Sequence, residues 1–170
     1  VREAMAAAVE WYHERLLTGP DSGAARRYLR DRGFDGERVR QYKIGWAPDD
    51  WDQLVKALPF SPKVLRDAGL GRESKRGGTN DFFRARVLFP IFDVQGDPIG
   101  FGGRMMPDGR PPKYQNTPET ALYRKSKVLY GLNWAKDEAV RENEVIICEG
   151  YTDVIGFAEV GLHRAVATCG

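Results

Sequence analysis

The run Glu144-Val-Ile-Ile-Cys-Glu-Gly-Tyr-Thr-Asp-Val-Ile155 decides the fold of this chain, because an apolar segment ends abruptly at Glu149 and Gly150. Val145 to Cys148 lacks the polar alternation of a half-exposed strand, which predicts a buried parallel strand with Glu149 at its carboxyl end. Gly150 permits a tight turn. Thr152 or Asp153 can then cap a helix carried by Val154, Ile155, Phe157, Ala158 and Val160, until Gly161 stops it. Ala165-Val-Ala167 follows as a second strand. Strand, helix and strand at these lengths form a βαβ unit, and open α/β sheets hold their ligands just outside the carboxyl ends of the strands. Candidate chemistry therefore sits at Glu149. Simple solvation of that acid is the competing reading, and Asp153, in a first helical turn, serves equally as a cap or a partner for the helix dipole.

Composition sets wide bounds. The 170 residues suffice for one ordinary domain or two small ones, and an apolar fraction of 42% suffices for a core. No run approaches the ~18 apolar residues of a membrane span, and Val1-Arg-Glu-Ala4 lacks signal-peptide architecture, so a cytoplasmic protein with no membrane partner is expected. The missing initiator Met suggests an excised fragment. Two cysteines, Cys148 and Cys169, exclude a four-cysteine zinc site and give no disulfide framework. A net charge of +2 carries no message about nucleic acid, so that argument rests on where the basic residues fall.

The first third reads as helices. Met5, Ala8, Val9, Tyr12 and Leu16 recur at helical spacing, predicting an amphipathic helix over about residues 2–17, ended by Gly19-Pro20. Asp21 or Ser22 caps a second, with Ala24, Ala25, Tyr28 and Leu29 inward and Arg26, Arg27 and Arg30 outward as a face either solvated or open to acidic partners. A short helix near Gly36 to Gln41 and a strand over Lys43 to Ala47 follow. Pro48-Asp49-Asp50 then starts a helix with Trp51, Leu54, Val55 and Leu58 on one side, and Ser61-Pro62 starts another. Gly71 to Asn80 is polar and glycine-rich, which predicts a mobile loop. Arg86 to Phe92 and Pro98 to Arg104 are β-type runs joined by a turn at Gly96, and Arg84 and Arg86, two apart on an extended chain, are expected to point the same way. Gly102 and Gly103 signal either a close approach to the backbone or a bulge.

Basic residues interleaved with Phe101, Tyr114 and Tyr123 form the combination a single-strand track uses, in which cations hold phosphates and rings stack on bases at about 1–3 kcal/mol each. Rings in the core and cations in solvent would give the same composition. Two resemblances bear on the choice. Glu149, Gly150 and Asp153 match the first signature of the Toprim fold, shared by primases, topoisomerases and some nucleases, in which a Glu ends a strand and Gly-x-x-Asp follows. In addition, Ile44-Gly-Trp-Ala-Pro-Asp49, Arg84-Ala-Arg-Val-Leu-Phe-Pro-Ile91, Ile99-Gly-Phe-Gly-Gly-Arg104, Pro112-Lys-Tyr-Gln-Asn-Thr-Pro-Glu-Thr120 and Leu129-Tyr-Gly-Leu132 occur in the order found in bacterial replicative DNA primases of the DnaG type. Together these motifs cover nearly the whole chain.

The resemblance implies an α/β fold: an α+β N-terminal subdomain over residues 1–126 carrying a basic template groove, then, over 127–170, the first βαβ unit of a Toprim domain. It implies an enzyme making short RNA primers on single-stranded DNA from ribonucleoside triphosphates at the replication fork. Arg86, Arg104, Lys113 and Lys125 fall on the family's basic groove positions, with Arg84 and Tyr114 beside them, and Asn116 on a template-contacting Asn. Glu149 falls on the catalytic Glu, near Asp153, and is the expected ligand here for Mg2+ or Mn2+; most ligands are expected in an Asp-x-Asp pair beyond residue 170. Asp50-Trp-Asp52 lies far upstream and reads as a helix cap, not that pair. A zinc module before this stretch and a domain binding the replicative helicase after it are expected outside the chain, leaving the fragment alone inactive. A Toprim nuclease or topoisomerase, or a non-catalytic single-strand-binding module, is the alternative.

Overall fold

A computed structural model describes residues 1–169. The first helix, α1 (Arg2–Thr18), buries Ala4, Met5, Ala8, Val9, Tyr12 and Leu16 along one face, as its spacing predicts. It lies across β1 (Gly45–Ala47) so closely that a side chain at Gly45 would stand 2.7 Å from the Tyr12 Cβ. Between them come α2 (Gly23–Asp31) and α3 (Gly36–Gln41). Ala25 and Leu29 face inward as expected, but Ala24 is exposed, and Arg26 turns back to donate to the Leu16 carbonyl at 3.0 Å. That arginine satisfies carbonyls which the end of α1 leaves open.

Helix α4 (Gln53–Ala57) starts later than the sequence suggests, and Trp51 is 54% exposed instead of packed. Its cap comes from far along the chain: the Asp81 carboxylate accepts from the amides of Leu54 and Val55, both at 2.9 Å. Helix α5 (Pro62–Asp67) has the expected cap, Ser61, accepting from the Val64 amide. The glycine-rich stretch forms an antiparallel hairpin of β2 (Gly71–Glu73) and β3 (Thr79–Asp81), whose turn uses positive φ at Gly77 and Gly78.

The central sheet has the order β1-β4-β5-β6, all antiparallel, with β4 at Arg86–Phe92, β5 at Pro98–Met105 and β6 at Tyr114–Asn116. Its irregularity lies at Ile91/Phe92, so Gly102 and Gly103 are not a bulge. They admit close neighbours: a Cβ on Gly102 would be 2.1 Å from the Tyr151 ring.

A second sheet follows a 3-10 turn at Lys125–Lys127 and has the order β7-β9-β8, from β7 (Leu129–Tyr130), β8 (Ile146–Cys148) and β9 (Ala165–Thr168). Helices α6 (Leu132–Glu142) and α7 (Tyr151–Glu159) connect these strands. Strands β8 and β9 are parallel, as the βαβ pattern predicts, whereas β7 pairs antiparallel with β9. The expectation that β8 is buried is corrected: it is an edge strand with Ile147 65% exposed. Tyr151, Val154 and Ile155 of α7 share one core cluster with Val87, Phe89 and Ile91 of β4, which joins the two sheets.

Candidate nucleic-acid interface

Where β8 ends, Gly150 is the N-cap of α7 and its amide donates to Asp153 Oδ2 at 3.0 Å. Asp153 thus caps from inside the first turn. Glu149, one residue earlier, is exposed and makes no hydrogen bond or ion pair among the described residues. Its carboxylate is left for something else.

Facing it is β6. Lys113, Tyr114 and Asn116 line one wall of a cleft of about 430 Å3, and Glu149, Thr152 and Asp153 line the other. The walls are tied together by Asn116, whose Oδ1 accepts from the Tyr151 hydroxyl at 2.8 Å and whose Nδ2 donates to the Cys169 carbonyl. Lys113 holds its Nζ 5.9 Å from the centre of the Tyr114 ring. Arg104 stands between two phenols, donating to the hydroxyls of Tyr28 and Tyr114, with the Tyr114 ring centre 5.0 Å away. Burial works against the Arg104 charge, yet the hydrogen bonds to Tyr28 and Tyr114 outweigh it and its pKa is raised. The Arg32 guanidinium stacks 4.3 Å from the centre of the Tyr28 ring. Cations and rings therefore alternate from α2 to β6: Arg32, Tyr28, Arg104, Tyr114, Lys113.

The expected single row of Arg86, Arg104, Lys113 and Lys125 is divided. Register pairs Val87 with Arg104, so Arg86 projects from the opposite face of the sheet; its Nη2 donates to the Arg110 carbonyl at 3.2 Å. Arg84 and Arg86 do not point together either, because Ala85 has φ 50° and breaks the extended chain. Arg84 pairs with Asp49 at 2.7 Å and stacks 3.7 Å from the centre of Trp51, beside a separate cleft bordered by Arg72, Lys75 and Arg76 of the hairpin. Lys125 is exposed on the 3-10 turn and does not line the cleft with Glu149. Of the three rings proposed for stacking, Phe101 and Tyr123 are fully buried core, leaving Tyr114. Sequence reasoning missed Arg32, and assigned Tyr28 only to packing. Tyr28 and Arg104 are 76 positions apart, so no spacing rule connects them.

No group of three or more His, Cys, Asp or Glu side chains able to hold a metal occurs among the described residues. Mg2+, however, commonly takes only one or two protein carboxylates, with water and substrate phosphates completing its shell. Glu149, unpaired, and Asp153, with Oδ1 free of described partners, fit such a partial site.

Residues 11–136 match the model of the DNA primase catalytic core, N-terminal domain. The chain belongs to the DNA primase catalytic-core family. It is 43% identical to the DNA primase of Streptomyces coelicolor over 172 residues, covering 99% of this chain and 27% of that protein. With the Escherichia coli DNA primase the identity is 39%, over 94% of this chain and 28% of the relative. The chain thus spans about a quarter of the length of these curated relatives. Among solved structures, the RNA polymerase domain of Mycobacterium tuberculosis primase DnaG superposes with a TM-score of 0.94 at 39% identity, over 99% of this chain and 56% of that one. A DnaG primase catalytic domain solved bound to single-stranded DNA gives 0.88 at 38% identity, over 99% of this chain and 55% of that one. The nuclease and topoisomerase alternative is not favoured by these relatives. No helix of the described residues is long and apolar enough to cross a membrane.

Proposed function

We propose that this chain holds a single-stranded DNA template, and one of the catalytic acids, for an enzyme that copies the template into a short RNA primer from ribonucleoside triphosphates. The observation that carries this reading is the shared cleft: a cationic and aromatic wall, Lys113, Tyr114 and Asn116, faces an acidic one, Glu149 and Asp153. Phosphoryl transfer is mostly positioning and charge neutralisation, so such a site needs cations for phosphates and acids for a metal. Lys113 and Arg104 would hold template phosphates while Tyr114 offers a face for a base. Glu149, with Asp153 beside it, would hold Mg2+ or Mn2+, which when bound neutralises charge on the transferred phosphoryl group. The segment from residue 127 onward then serves as the opening of a Toprim-type domain, and residues 1–126 as the template-holding subdomain.

Arg86, on the opposite face of the sheet, is not part of this cleft.

The test is single-stranded DNA binding followed by fluorescence anisotropy over a range of salt. Arg104→Ala and Lys113→Ala should each flatten the slope of log affinity against log salt by about 0.7, the value for one phosphate on a single strand. Parent-like slopes in both variants would remove the template reading. In the full-length protein Glu149→Gln should leave template affinity intact while primer synthesis collapses, since the amide keeps the size and loses the charge. Synthesis at the parent rate would reduce Glu149 to a surface acid.

A further inference from the structure

Asn116 can rotate its amide into two orientations of similar shape, and only one presents the intended donor and acceptor. The Cys169 carbonyl settles the choice. A carbonyl only accepts, so Nδ2 must face it, and Oδ1 is thereby turned to the Tyr151 hydroxyl, which donates at 2.8 Å. Each polar atom of the amide is used once by the protein. One N–H and one lone pair are left over in the cleft.

The tyrosine is itself held on every side. It is buried, its ring stacks 5.7 Å from Phe89 and meets Tyr130 edge-on at 4.7 Å, and Gly102 lacks the Cβ that would strike it. Burial raises the phenol pKa, which keeps the hydroxyl a neutral donor. Tyr151 lies two residues after Glu149, at the start of α7, while Asn116 lies on β6 of the other sheet. The hydroxyl therefore spans the gap between the element carrying the acid and the strand that follows Lys113. We infer that Tyr151 is a positioning residue: it fixes the Asn116 amide in one orientation, so that its free N–H and lone pair meet the polar groups of a bound nucleotide at a set distance from Glu149. This rests on the reading of the cleft as a nucleic-acid site.

The experiment compares single-stranded DNA binding by the parent chain, Tyr151→Phe, Asn116→Ala, their double variant, Lys113→Ala and Arg104→Ala. Phenylalanine keeps the ring over Gly102, so the thermal midpoint should stay close to the parent's. Losing one oriented hydrogen bond should weaken binding by about three- to tenfold. The salt slope should not change, because no phosphate contact is removed. Asn116→Ala reaches the same contact from the other side without disturbing the tyrosine ring, and supplies the comparison if the phenylalanine variant folds poorly. Since Tyr151 acts through Asn116, the double variant should bind no worse than Asn116→Ala alone. Additive losses, or parent-like affinity in Tyr151→Phe while Lys113→Ala flattens the slope, would overturn the positioning role and leave the cleft reading standing. Unchanged slopes in both Lys113→Ala and Arg104→Ala would overturn both.

Discussion

At the scale of single residues, charge at the interface is held by rings. Arg104 donates to two phenols from two directions, which a planar guanidinium can do and an ammonium on a flexible stem does poorly. Arg104→Lys should therefore preserve the salt slope of DNA binding, since the charge is kept, while affinity falls by about 1 kcal/mol, the net worth of a typical hydrogen bond. An unchanged affinity, measured by anisotropy at fixed salt, would show that Tyr28 and Tyr114 do no orienting. The basic residues at this site were legible in the sequence because arginine and lysine beside an aromatic already suggest phosphate and base. Their partners were not. Tyr28 reached Arg104 only because α2 folds back over the sheet, and Arg86 left the row because strand alternation sends it through to the other face.

At the scale of elements, α4 shows how a short helix depends on a distant residue. Five residues are far too few to hold a helix alone, and none of its own flanking acids caps it by a side-chain bond. Asp81, 2% exposed at the end of β3, does so. Asp81→Ala would leave both donors without their acceptor, at roughly 1–3 kcal/mol for the buried Leu54 amide and less for the half-buried Val55 amide, and a matching fall in urea midpoint is expected. Burial raises the Asp81 pKa, with Asp52 and Asp50 adding to the rise, although the two amides pull it down. A carboxyl whose folded pKa is raised contributes stability that is complete below the unfolded pKa and is lost as pH rises through the folded one. The stability of the parent relative to Asp81→Asn should therefore fall between pH ~4 and pH ~7, as urea titrations at both would show. The start of α4 was misread because Pro48-Asp49-Asp50 offers local caps, whereas the cap that is used comes from across the hairpin. The hairpin was missed for a related reason: Gly71 to Asn80 has no apolar alternation, and its strands are held by backbone pairing beside α5.

At the scale of the whole molecule, the question is whether the acid-bearing sheet stands or falls with the cation-bearing one. Two apolar strands at the carboxyl end cannot bury a parallel sheet between them, so the sequence calls for cover from elsewhere. Strand β7 is not legible there, because the two residues Leu129 and Tyr130 are too few to show a period. The structure has a three-stranded sheet with α7 wedged against β4, and Phe89 stacked on Tyr151 at the contact. A core cluster shared by the two sheets then predicts that they unfold in one cooperative transition. Phe89→Ala should cost about 3–5 kcal/mol by cavity formation. Since Tyr151 loses its stacking partner, amide exchange should quicken in α7 and β9 together with β4 and β5, by a similar factor in each. The open edge at β8, where Val145 and Ile147 face outward, should exchange early in parent and variant alike, because backbone groups there lack a neighbouring strand. If α7 and β9 kept parent protection while β4 and β5 lost theirs, the two sheets would be separate cooperative units, and the distance between Lys113 and Glu149 would be set only by the Asn116 bridge.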